Sequence, residues 1–112
     1  MARDDYYVLA YKVLAYLYHC LKNDNVVDVN YVSHEALGIG IGYWEYLITH
    51  LNEDGYIEGV SLLPILGRNT PAVKVGCNLA ITPRGIDFLE NNSTMSKAKR
   101  VLKELNELIP GL

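Results

Sequence analysis

The chain is poor in the side chains that carry most site chemistry. It has two cysteines, three histidines, one tryptophan and one phenylalanine. Cys20 and Cys77 show no spacing of a zinc or redox motif, and their apolar flanks read as those of small core residues. His19, His34 and His50 fall in separate segments, so no metal site is expected. No apolar run reaches membrane-spanning length, and "MARDDYY" does not open like a secretion signal. A cytoplasmic protein with no membrane partner is expected. Positive charge is not in excess: Lys and Arg number 10 against 13 Asp and Glu, a net charge of −3. Any contact with DNA must therefore come from a local patch. The adjacent pairs Asp4/Asp5 and Glu53/Asp54 suit helix caps or surface roles better than acid–base catalysis. These absences point away from an enzyme, a cofactor and a small-molecule ligand.

What is present is apolar surface and tyrosine. Half of the 112 residues are hydrophobic, enough for one domain, residues 1–112, with its own core. Nine tyrosines stand against the single phenylalanine. Tyr joins apolar area to a polar tip, which fits half-buried edges and interfaces.

Asp4 or Asp5 is placed to cap a first helix that runs to about Lys22. Tyr7, Ala10, Leu14, Leu17, Tyr18 and Leu21 form one stripe on it, and Leu9, Val13, Tyr16 and Cys20 a second beside it. Lys12, His19 and Lys22 leave only a narrow polar strip, so this helix needs cover on more than one side. Residues 26–32 read as an extended piece, and Ser33 caps a short helix ended by Gly38. The "GIGIG" run lacks the Lys-Ser/Thr ending of a phosphate loop and is a plain connection. A helix from Tyr43 to about Asp54 buries Trp44, Leu47, Ile48 and Leu51 and stops at Gly55, leaving Tyr43, Glu45, Tyr46, Thr49, His50 and Glu53 outward.

Strands are expected at 55–60 and 78–81, with Cys77, Leu79 and Ile81 in line on one face and residues 61–76 as a long hairpin tip. In "ITPRGIDFLE", Thr82 caps the next helix and Pro83 takes its first position. Asn91, Asn92 and Ser93 stop it. Residues 94–109 form a last helix, capped by Ser93 or Ser96, that packs on the first helix or mediates dimerisation. Arg100–Glu104 and Lys103–Glu107 are its expected ion pairs.

This order is an α+β winged helix-turn-helix: a three-helix core, a small antiparallel hairpin sheet with a long wing, and two C-terminal helices. The segments "RDDYYVLAYKVLAYLYHCLK", "YWEYLITHLNEDGYIEGV", "ITPRGIDFLENNSTMSKAK" and the ending "LIPGL" together resemble the YjcQ family of small winged-helix proteins. The resemblance spans essentially the whole chain. It implies the winged-helix fold and a context in Gram-positive bacteria and their prophages, with no site residues to carry over.

Two functions follow as expectations. The first is DNA binding by a transcriptional regulator, with Tyr43, Tyr46, Thr49 and His50 on the recognition helix, Arg68, Asn69 and Lys74 on the wing, and Arg84 beyond it. Glu45 and Glu53 and the lack of Lys or Arg on that helix weigh against it. The second is a protein-interaction module or homodimer, using the apolar "SLLPIL" wing or an interface of Leu9, Val13 and Tyr16 with Val101, Leu105 and Leu108.

Overall fold

The structure, a computed structural model, describes residues 1–107. It is an α+β body of five helices and one two-stranded antiparallel hairpin. The elements are α1 (Tyr6–Lys22), α2 (His34–Leu37), α3 (Ile41–Glu53), β1 (Ile57–Leu63), β2 (Ala72–Ile81), α4 (Pro83–Asn91) and α5 (Ser93–Glu104).

α1 is the axis of the core. It packs against α3, α4, α5 and β2, and its Val8, Leu9, Ala10, Tyr11, Val13, Leu14, Ala15, Leu17 and Cys20 are buried. The cover that its near-continuous apolar surface demands comes from this chain itself. Leu9 and Val13, expected at an interface, are fully buried within one molecule and have no surface to offer a second. Tyr16 is half-buried, and its hydroxyl accepts a hydrogen bond from the Asp28 N–H. On α5, Val101 packs against the core, whereas Leu105 is 48% exposed; Leu108 lies outside the described residues. Tyr7 and Leu21, counted in an apolar stripe, are exposed at the two ends of α1.

Several ends differ from their sequence expectation for local reasons. Asp5 occupies the cap position of α1, yet its carboxylate accepts from the Ala2 N–H instead of from the helix. Val29–Val32 is a 3-10 turn and not a strand: Asp28 accepts from the Asn30 N–H and closes the backbone before it can extend. The sheet therefore has two strands. α3 starts at Ile41, two residues earlier than expected, and ends before Gly55, whose φ of +78° favours glycine. Asn92, not Ser93 or Ser96, caps α5 by accepting from the N–H groups of Thr94 and Met95. Glu107 leaves its expected partner Lys103 and meets Arg3 and, at 3.6 Å, Lys12 on α1, which fastens the end of α5 to the start of the chain.

The hairpin is longer than its apolar pattern announces, with residues 64–71 as its tip. Val60↔Val75 and Leu62↔Val73 extend the ladder beyond the expected strands. A register break at Gly59 explains why Cys77 fell on the wrong face. Glu58 pairs with Ala80 but Val60 with Val75, so Gly59 alone faces residues 76–79 and Cys77 is exposed.

The α4 junction follows the sequence closely. Thr82 accepts from the Gly85 N–H at 3.0 Å and donates to the Gly55 carbonyl, while its own N–H donates to Tyr56 O at 3.0 Å. One threonine thus ties the end of α3, the start of the hairpin and the start of α4 together.

Candidate functional site

The exposed side of α3 does not present a basic surface. Tyr43, Tyr46 and His50 recur along one side of this helix and form one wall of an open cleft. Tyr6, Tyr7 and Ala10 from the start of α1 form a second wall. Asp54, Tyr56 and Phe88 close it at the α3–hairpin–α4 junction. The cleft holds about 430 Å3. That is within the range of small ligand or side-chain sites, roughly 300–1,000 Å3.

Its aromatic rings brace one another. Tyr6 meets Tyr7 and Tyr46 edge-on, with centroids 5.2 and 6.1 Å apart. Tyr46 and His50, one turn apart on α3, are 4.2 Å apart, and Tyr56 stacks on Phe88 at 4.3 Å. The Tyr43 hydroxyl donates to the Asp4 carbonyl at 2.9 Å and ties α3 to the segment before α1. Tyr46 nevertheless remains 52% exposed, a large aromatic surface held in place and left uncovered.

The charge around the cleft is negative. Burial first, then the Asp54 carboxylate and the neighbouring Tyr7, Tyr46 and Tyr56, pushes the Tyr6 hydroxyl up to about 12. Burial, with Asp4 and Asp5 behind it, raises Tyr43. No Lys or Arg is in the lining. The raised Tyr6 value has a direct consequence. Its folded value lies above the free value of 10, so the protonated form stabilises the fold below pH 10, and this contribution is lost as pH rises from 10 through about 12. Tyrosinate absorbance across an alkaline titration will show a late-ionising component, and Tyr6→Phe will shrink it by one tyrosine at its high-pH end. A Tyr6→Phe variant with the same late component would show that the shift resides elsewhere.

Of the hairpin residues expected to meet DNA, Asn69 and Lys74 stand free at the surface and Arg68 is tied to α3. Arg68 does not project from the tip; its Nη2 donates to Glu45 Oε1 at 2.7 Å and to Thr70 Oγ1 at 3.3 Å. Glu45, expected outward, is only 6% exposed, and its Oε2 accepts from the Val73 N–H. The tip is thus drawn back onto α3, where Arg68, itself still exposed, is paired with the buried Glu45 carboxylate. Asn69 and Lys74 are exposed, Thr49 is half-buried beside His50, and the Arg84 guanidinium lies 5.7 Å from the Tyr56 ring centroid. Leu63, Ile65 and Leu66 are exposed at the tip; the apolar end of the hairpin does not pack on its own body there.

The structure therefore brings Tyr43, Tyr46 and His50 together, sets Arg84 beside Tyr56 at the junction, and keeps Arg68, Asn69 and Lys74 on the hairpin. Sequence reasoning missed Tyr6, Tyr56, Asp54 and Phe88 as partners of α3. The excess of tyrosine was the signal for Tyr6 and Tyr56; Asp54 and Phe88 had none. Among the described residues no group of three or more His, Cys, Asp or Glu side chains is arranged to hold a metal, and no helix is long and apolar enough to cross a membrane.

A family model described as "YjcQ protein" matches residues 11–108. No curated protein and no solved structure matches the chain.

Proposed function

The chain belongs to the YjcQ family, and on that body we propose a winged-helix protein-interaction module whose α3 cleft takes a segment of a partner protein. The winged-helix reading draws support from the run of α1, α2 and α3 into a hairpin, with α2 ended by the left-handed Gly38 and α3 followed by Gly55. One observation carries the functional reading. The outward side of α3, the side a DNA-binding winged helix lays in the major groove, is here the tyrosine wall of an open cleft bordered by Asp54. Exposed, braced tyrosines are a usual anchor at protein interfaces because they bury area at little entropic cost. Carboxylates beside them oppose a polyanion.

DNA binding by a transcriptional regulator, in the prophage setting that the family resemblance implies, stands as the second reading. Exposed Lys74 on the hairpin and Lys97, Lys99, Arg100 and Lys103 on α5 favour it. One pair of measurements separates the two. Peptides selected from a random display library on the intact chain are expected to lose about tenfold in affinity on Tyr46→Ala. Fluorescence anisotropy of mixed-sequence duplexes at low salt is expected to show no micromolar binding. Duplex binding that weakens on Lys74→Ala, with no Tyr46-dependent peptide, would reverse the assignment.

A further inference from the structure

The cleft has a charge and a ring geometry that its role as a docking groove does not by itself explain. Tyr6, Tyr43, Tyr46 and Tyr56 line it from α1, α3 and the turn into β1, and the carboxylate of Asp54 stands among them. Burial raises the Tyr43 and Tyr6 hydroxyls first, and Asp4 and Asp5 beside Tyr43 and Asp54 beside Tyr6 add to it, so all three charges are felt at the aromatic walls. Against these, the lining holds no Lys or Arg, and His50 is its one basic ring. Aromatic faces carry negative quadrupoles, and a carboxylate at their edge adds to that field. The molecule already places a guanidinium at the edge of this wall: Arg84 approaches the Tyr56 ring to 5.7 Å.

On the reading that the cleft takes a partner segment, we propose that its guest is a cationic side chain, an arginine presented by a basic stretch of the partner protein. Three features select this occupant. A guanidinium is planar, so it lies along tyrosine faces, and it pairs with a carboxylate through two parallel N–H donors. It is weakly hydrated, so leaving water for a half-open cleft costs it less than it costs an ammonium group. A cleft of about 430 Å3 has room for one long side chain with the backbone that carries it. Asp54, at the C-terminal end of α3, is the anchoring carboxylate, and the tyrosines are the walls.

The test uses the intact chain and display-selected peptides whose binding depends on Tyr46. Each arginine in them is replaced in turn by citrulline, which keeps the shape and removes the charge. One citrulline replacement per peptide is expected to weaken binding about tenfold. Asp54→Asn is expected to weaken the arginine peptides about fivefold, to leave the citrulline peptides unchanged, and to lose its effect at high salt. Asn is well tolerated at a helix C-cap, and amide chemical shifts away from the cleft will verify that this variant is folded. Asp54→Glu restores the charge and is expected to recover part of the loss. Tyr46-dependent peptides indifferent to both citrulline and Asp54→Asn would overturn the cationic guest while leaving the docking reading in place. Failure to select any Tyr46-dependent peptide would overturn both.

Discussion

Replacing Gly85 by alanine is expected to lower the unfolding free energy by about 3 kcal/mol, the upper end of the usual cost of overpacking. A Cβ at this position would lie 2.2 Å from the Tyr56 carbonyl oxygen and 2.8 Å from Ile81 Cγ1. The oxygen is backbone and already accepts from the Thr82 N–H, so it cannot turn aside without breaking the junction. To relieve the clash α4 must lift from the hairpin, which strains the cap that Thr82 makes to the Gly85 N–H and uncovers Leu89. The midpoint of urea unfolding reads the loss. Gly42 provides the contrast, since it sits in α3 with nothing within 4 Å of an added Cβ. Gly42→Ala should gain about 0.5 kcal/mol from helix propensity. Equal stability of the two variants would contradict the close approach of α4 to Tyr56.

Leu9→Ala is expected to cost about 3 kcal/mol as well, and to lower the melting temperature by roughly 10 °C. Leu9 is 0% exposed among α1 neighbours that are themselves buried, so truncation leaves a cavity that the surrounding helices cannot easily fill. The diagnostic quantity is protein concentration. Substituting a core residue gives the same shift from the parent at every concentration, whereas substituting a residue at a subunit interface gives a shift that changes with concentration. Thermal scans over a hundredfold range of protein therefore decide between the two placements of Leu9. A parent melt that depends on concentration and loses that dependence in Leu9→Ala would restore the interface reading of Leu9.

Features governed by neighbours in sequence were readable before the structure, and features governed by distant contacts were not. Ser33, Gly38, Gly55, Thr82 and Pro83 stand where the sequence puts them, because a cap or a left-handed residue is fixed within three or four positions. Asn92 displaced the two serines after it by the same local chemistry; all three are good caps, and spacing alone does not rank them. The extended reading of residues 26–32 fails from Val29 onward, where the turn-forming Asp28 outweighs β-branched composition. The hairpin ends were misplaced because three extra residues opposite Gly59 break the two-residue alternation on which strand faces are counted. The outward expectation for Glu45 fails because nothing in its own helix announces that Arg68 returns to it from the hairpin tip. The cleft escaped for the same reason. Its tyrosines belong to α1, α3 and the turn into β1, and only the packing of these elements gathers them.

The central position of α1 has a kinetic consequence as well as a structural one. α1 is made before α5, on which it packs and whose first residue leaves the ribosome roughly seventy residues later, a delay of about 4–14 s at ordinary synthesis rates. During that interval α3 and the hairpin can cover one flank of α1, and the flank owed to α5 stays wet. The emerging chain therefore carries a sticky, incompletely shielded helix that the last described helix must reach before another molecule does. Burial that makes the finished protein self-sufficient makes its synthesis a race between closure and aggregation.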